Sequence, residues 1–326
     1  MTKLVLTGWS AISPYGRGRE AFLGRRATGH DVPDFSAREA LGSKGTRSMT
    51  RLTALAIATV GDLIADTGCD TGADTGLVLG TTTGSAQSMM DFTRSSLTAA
   101  RPHRVDPALF PNTVMNCAAG QCAIWHGLRG PNVTIAGGRT AGLMALSYTG
   151  RLIRSHRAKR VLVGAAEECS PARARLIDLA RPPHEIPKPL TEGCAATLAE
   201  SVDHDAPGRA EILAVRSRLC LDGSPGAALR DCVDAALVSA SCAGNRIWAV
   251  SGTGTTQERE LLAGRPTWID GLPGDASSAS ATFQLVSVLA AAELNPSHVD
   301  RFALVTAVDT DGSSACVVLR LIGSPR

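Results

Sequence analysis

The stretch TIAGGRTAGLMAL, Thr134 to Leu146, puts a charged side chain, Arg139, where an apolar β-prone run passes through two glycines into a small-residue helical pattern. Such turns are where α/β enzymes hold a nucleophile, because a helix N-terminus favours a thiolate and stabilises an oxyanion. A guanidinium offers neither a nucleophilic atom nor an acceptor, so no covalent acyl intermediate can form on Arg139. Two Gly/Thr turns, GTTTGS at 80–85 and SGTGT at 251–255, also follow apolar runs. Neither has the lysine of a P-loop or the GxGxxG spacing of a dinucleotide fold, so both read as ordinary turns rather than phosphate cradles. The turn PGDASSASA at 273–281 adds an acid, Asp275.

The remaining reactive residues are less informative. Nine cysteines are scattered and odd in number, mostly within Ala- and Val-rich segments, and read as reduced core residues. Cys117 and Cys122 lack CxxC spacing, so no metal site and no cofactor is expected. His126, in a helical stretch, and His184, in a Pro-rich one, read as surface or helix-capping residues.

The elements that must position these residues alternate. Lys3 to Thr7 reads as a strand ending at Gly8, residues 51–65 as a helix, 76–80 as a buried strand and the stretch to Leu97 as a helix. Helix 116–128, strand 132–136, helix 140–155 and strand 160–167 follow. Alternation of this kind predicts parallel strands crossed over by helices. The Pro- and Arg-rich segment 170–192 reads as the internal boundary, and the pattern then repeats in outline: strands at 194–202, 209–220 and 246–250, helices at 225–240 and 276–292, and strands at 301–307 and 314–321.

Composition excludes several function classes. A hydrophobic content of 44% with only 4% aromatics predicts a core of small aliphatic side chains and close helix-strand layers. The net charge of +3 is spread along the chain, which argues against nucleic-acid binding. The densest basic run, RLIRSHRAKR at 151–160, reads as a helix end whose cations complement the helix dipole, with a docking patch as the alternative. No window is apolar enough to span a membrane, and a cytoplasmic location is expected.

Taken in order, TGWSAISPYG, LGTTTGS, FPNTVMNCAAGQCAIWHGLRGPNVT, AGLMALSYTGRLIRSHRAKRVLVGAAEE, EGCAATLAES, AVSGTGT and SSACVVLR resemble the β-ketoacyl synthases of the thiolase fold. The resemblance implies a duplicated α/β fold layered α/β/α/β/α, with ketosynthase-like halves at 1–170 and 190–326. It places the family's nucleophilic cysteine at Arg139 and its two histidines at Ser251 and Asp275. With all three positions changed, the chain looks like a chain length factor, the non-catalytic subunit that pairs with an active ketosynthase in type II polyketide synthases. Its compact form is similar to partners from highly reducing, polyene-making systems, and the shortening relative to the family is expected at 170–192 and 203–245. Chain length factors usually carry Gln at the cysteine position, from which Arg139 departs.

The resemblance further implies a heterodimer joined through the strand at 132–136, with an acyl carrier protein engaged mainly by the partner. The polyketide tunnel would cross the interface and end at Ala86, Met89 and Thr93, with Met90 and Met115 nearby. For Met89 and Met90, simple helix packing is the alternative. Arg139, if buried, needs an acidic partner such as Asp275. Two other readings stay open: a repurposed acyltransferase or dehydratase using Ser251 and Asp275, and a plain scaffold.

Overall fold

Helix starts along this chain are written in short polar side chains: Thr50, Ser85, Ser170 and Thr255 each accept the backbone N–H three residues on. Stops at Gly68 and Gly127 adopt the left-handed conformation that glycine tolerates best. The computed structural model describes residues 3–27, 29–101, 104–182, 185–202, 208–221, 223–265 and 267–322. The chain runs through β1 (Lys3–Ser13), β2 (Gly16–Arg17), α1 (Gly18–Gly24), α2 (Ala37–Leu41), α3 (Arg51–Thr67), β3 (Thr75–Thr81), α4 (Ala86–Thr98) and α5 (Cys117–His126). It continues through β4 (Asn132–Ala136), α6 (Ala141–Arg154), β5 (Arg160–Glu167), α7 (Pro171–Ala180) and β6 (Gly193–Val202). A second series follows: β7 (Ala210–Leu219), α8 (Pro225–Ser239), β8 (Ile247–Ser251), α9 (Thr256–Leu261), α10 (Ser280–Leu294), β9 (Phe302–Val308) and β10 (Ser313–Leu321).

The strands form one hydrogen-bonded path, β4-β3-β5-β6-β1-β7-β10-β9-β8, with β2 paired to β1. Its two parts repeat each other. In the first, β3 and β5 are parallel, and β6 is antiparallel to β5 and β1. In the second, β8 and β9 are parallel, and β10 is antiparallel to β9 and β7. Only two residue pairs, Val5 with Glu211 and Leu6 with Ala210, join β1 to β7. The counterpart of β4 in the second part is a single parallel bridge, Val250 to Trp268. This connectivity gives β6 to the first repeat, so the changeover falls between Val202 and Ala210, later than the 170–190 division expected from the sequence.

Three apolar clusters show the layering. Helices α3 and α5 pack on the outer face of the first half-sheet, and α8 covers the second. Between the half-sheets lie α6 and α10. Residues Ala281 to Ala290 of α10 are all buried, as a helix apolar on every side must be when it sits between layers. Gly142 lets α6 approach α10: a Cβ there would lie 2.3 Å from Thr282 Oγ1. The result is the expected duplicated α/β/α/β/α architecture.

Three expectations are corrected. β1 runs through Gly8 to Ser13 with a register shift between Leu6 and Gly8, because this glycine serves close packing against Thr67 of α3 rather than a turn. Residues 171–180 form α7, capped by Ser170, inside what read as an irregular boundary. The last long helix starts at Ser280, after a 3-10 turn over 277–279. Among the described residues, no helix is long and apolar enough to cross a membrane.

Candidate functional site

β4 ends at Ala136, and the chain turns at Gly138 (φ 48°) before a 3-10 turn over 138–140 feeds α6. Only glycine fits at 138: besides the left-handed conformation, a Cβ would sit 1.5 Å from Asp309 Oδ2. That carboxylate, just past β9, accepts the Arg139 backbone N–H at 2.8 Å. The Arg139 side chain therefore projects from the turn between β4 and α6 into the space between the two repeats.

There it meets Asp275, as the sequence reading anticipated. Arg139 Nε and Nη2 donate to Asp275 Oδ2 at 3.1 and 2.6 Å, and Nη2 also donates to Glu185 Oε1 at 2.7 Å. The Arg139 and Asp275 side chains are 15% and 8% exposed. Burial works against the guanidinium charge, but Asp275 and Glu185 outweigh it and hold the group protonated beyond the usual arginine range. Burial likewise raises the Asp275 carboxyl, yet Arg139 and the Ser277 N–H, 2.7 Å from Oδ1, bring it net below the usual carboxylate range.

A second arginine, which the sequence reading missed, braces this pair. Arg173 of α7 is almost fully buried and donates to the carbonyls of Glu168, Thr191 and Asp275 and to Ser277 Oγ. Its Nε lies 3.7 Å from Glu167 Oε2, while Glu167 Oε1 accepts from Thr82 N and Ser278 Oγ. The backbone of Asp275 is fixed too, through Thr191 N to its carbonyl and its own N–H to Pro189 O. Beside this ionic cluster is a cavity of about 270 Å³, walled by Leu176, Ile177 and Ala180 of α7 together with Arg139, Asp275 and Asp309.

Ser251 does not join the cluster. It is fully buried at the end of β8, donates its hydroxyl to Ile269 O at 2.6 Å, and does not line the cavity. The loop that follows is held by the buried Glu258, also missed, which accepts from Thr253 N, Thr255 N and the hydroxyls of Thr253, Thr255 and Thr306. The capping box at Thr255 and Glu258 was its signal. With those N–H groups taken by a carboxylate, the SGTGT loop has little left to cradle a phosphate.

None of the five tunnel candidates lines the cavity. Ala86 is buried at the start of α4, Met89 is half-buried, and Met90, Thr93 and Met115 are exposed. β4 is an edge of the sheet and stays half-exposed despite its apolar sequence. α5 and α6 pack beside that edge, the 3-10 turn 107–113 joins α5 to α4, and these elements expose Met90, Phe110, Ile124 (83% exposed), Trp125 and Met144.

His126 is not a surface or capping residue: its partly buried ring donates from Nε2 to Ile57 O at 2.8 Å, and burial lowers its pKa. His184 lies outside the described residues. Asp31, Cys169 and Glu192 bring three potential metal-ligand atoms within 4.8 Å of one another. Glu192, however, is engaged by Arg51 Nε and Nη2, and burial followed by a hydrogen bond with Asp31 pushes the Cys169 thiol up to about 12. A thiol so disfavoured as thiolate, beside a neutralised carboxylate, makes a poor cation site.

Residues 2–182 match the profile of the β-ketoacyl synthase N-terminal domain. The chain is 30% identical over 142 residues to 3-oxoacyl-[acyl-carrier-protein] synthase 2 of Vibrio harveyi, covering 43% of this chain and 34% of that enzyme. Matches to such curated relatives span between 34% and 56% of their lengths. Among solved structures, a chain of the ishigamide ketosynthase/chain length factor superposes with a TM-score of 0.91 at 40% identity, covering 98% of this chain and 100% of that one. A chain from AntDE:AntF, a type II polyketide synthase acyl-carrier protein in complex with its ketosynthase bound to the hexaketide, shares the fold at a TM-score of 0.82 and 18% identity, covering 99% and 100%. The profile match over residues 2–182 establishes that the chain belongs to the β-ketoacyl synthase family, and the paired repeats and these likenesses agree with it.

Proposed function

We propose that this chain is the non-catalytic partner of an active ketosynthase and helps set polyketide chain length by shaping the acyl tunnel at their interface. The observation that carries this reading is Arg139: the nucleophile turn is intact, but its side chain is a guanidinium pinned by Asp275 and Glu185. A side chain so neutralised neither attacks a thioester nor donates freely to a developing oxyanion. Asp275 would moreover repel a malonyl carboxylate where a histidine would assist its loss.

The open edge of β4 and its apolar surround support pairing with a second subunit, whose strand would satisfy the unpaired backbone groups. Similarity to the ishigamide ketosynthase/chain length factor supports the same partner class. In that arrangement the carrier protein delivers acyl chains to the partner's cysteine, and Ala86, Met89, Met90, Thr93 and Met115 face the growing chain. The small, flexible and short side chains at these positions favour a roomy tunnel end. The competing enzymatic reading finds little support, since Ser251 is buried against Ile269 O and Asp275 is already committed.

Co-expression with a cysteine-containing ketosynthase tests the proposal. Co-purification, with condensation abolished by replacing the partner's cysteine alone, is the expected result. Acyl transfer by the isolated chain would overturn it in favour of a repurposed enzyme. Retained product length after Thr93→Phe would reduce the role to scaffolding.

A further inference from the structure

We propose that the groove between the start of β4 and the last turns of α6 receives carboxylates of the partner subunit and thereby makes the association of this chain heteromeric. The inference rests on the partner reading above and adds to it a charged determinant of partner choice. The groove encloses about 740 Å³ and is lined by Asn132, Val133, Tyr148, Arg151, Arg154 and Arg157 among others, with no carboxylate in its wall. All three arginines are exposed, and Arg151 lies over the Tyr148 ring at 5.6 Å.

None of the three makes an ion pair among the described residues, whereas cations that lie beside carboxylates elsewhere in the molecule pair with them. Arg17 pairs with Asp62, Arg19 and Arg209 with Glu293, and Arg320 with Glu211. The next cations in the same basic run are also engaged, Lys159 with Asp74 and Arg160 with Glu200. Complementing the negative end of α6 accounts for Arg151 and Arg154, but Arg157 lies past the helix terminus at Arg154 and still lines the groove. Arg151, Arg154 and Arg157 thus share one concave site.

Position identifies the occupant. The groove begins at Asn132, on the edge strand where a partner strand would pair. Pairing of like edges about a two-fold axis runs antiparallel, which brings the end of the partner's strand, and the turn and helix start after it, against this groove. A second copy of this chain would present Ala136, Gly137, Gly138 and Met144 there, and its nearby Asp309 is already bonded to Arg139 N. Three guanidiniums would then lose water without gaining partners, a penalty that acts against self-pairing. A ketosynthase carrying acids in its own nucleophile turn or in the first turns of the following helix would pair with them instead.

The test is affinity for the co-expressed ketosynthase at low and high salt, for the parent chain, a triple Gln variant (R151Q, R154Q, R157Q) and a triple Glu variant (R151E, R154E, R157E). Circular dichroism and melting of each isolated variant should match the parent, because the side chains are exposed. The expected result is a loss of affinity of about 100-fold or more for the Glu variant, and for the Gln variant a smaller loss with a flattened salt dependence. If the parent pair forms but both variants bind as tightly with the same salt dependence, the groove inference falls and the partner reading stands. If the parent chain forms no pair, both fall. Stable parent homodimers broken by the Glu variant, or nucleic acid retained by the parent and lost from it, would also overturn the proposal.

Discussion

Replacing Arg139 by Met probes the ionic cluster at the turn between β4 and α6. The change removes three side-chain hydrogen bonds, two to Asp275 and one to Glu185, and leaves Asp275 with its side chain only 8% exposed. Breaking a buried pair by deleting one partner costs about 3–5 kcal/mol. Asp275 keeps the Ser277 N–H and Arg173 nearby, and Glu185 is a quarter exposed, so the lower end, about 3 kcal/mol, applies. For a chain of this size that corresponds to a drop in Tm of roughly 4 °C. The pH dependence has a definite sign. In the parent, Asp275 titrates below its unfolded value, so its stabilisation is present above the ordinary carboxylate range and lost as pH falls through the folded pKa. In the variant, burial without the guanidinium raises the carboxyl, so Asp275 opposes folding as pH rises. The gap in Tm should therefore be widest near about pH 7 and narrow toward about pH 4. Calorimetry of Arg139→Met, Asp275→Asn and the double variant measures the coupling directly. A variant melting within about 1 °C of the parent at neutral pH, or a gap that widens on acidification, would refute this account of the ion pair.

Other substitutions test neighbouring parts of the site. Gly138→Ala meets both a left-handed backbone and Asp309 Oδ2, so it should cost at least about 2 kcal/mol, read as a lowered denaturation midpoint. Arg139→Cys restores the thiol but leaves Asp275 and Glu185 beside it. Those carboxylates raise a thiol pKa, so alkylation near neutral pH should be about 10-fold or more slower than for an exposed cysteine, and no acyl adduct should form. Thr93→Phe sits on an exposed helix face and should leave the melting temperature unchanged while shortening the product of the reconstituted pair. Ala86→Phe, at a buried position, should also cost about 1–3 kcal/mol through overpacking.

Most of the fold was legible because its signals are local. Apolar runs such as GLVLG and NVTIA became β3 and β4, and caps at Thr50 and Ser85 started α3 and α4 where the periodicity placed them. Gly8 misled the reading, since a glycine needed for contact with a helix looks like one needed for a turn. Helix α7 was obscured by flanking prolines, although Ser170-Pro171 is itself a helix start. The assignment of β6 to the first repeat depends on strand pairing across more than a hundred residues, which no local pattern encodes. At the site, Arg139 and Asp275 were visible through the motifs around them. Glu185, Arg173 and Asp309 were not, because each is brought in by tertiary packing from a segment with no chemical motif of its own.

The central claim, that this chain sits beside catalysis without performing it, is tested most directly by intact-mass measurement of the co-purified pair after incubation with an acyl thioester. The account predicts a single acyl adduct on the cysteine-bearing partner and an unchanged mass for this chain. An acyl adduct on this chain, surviving replacement of the partner's cysteine, would contradict it.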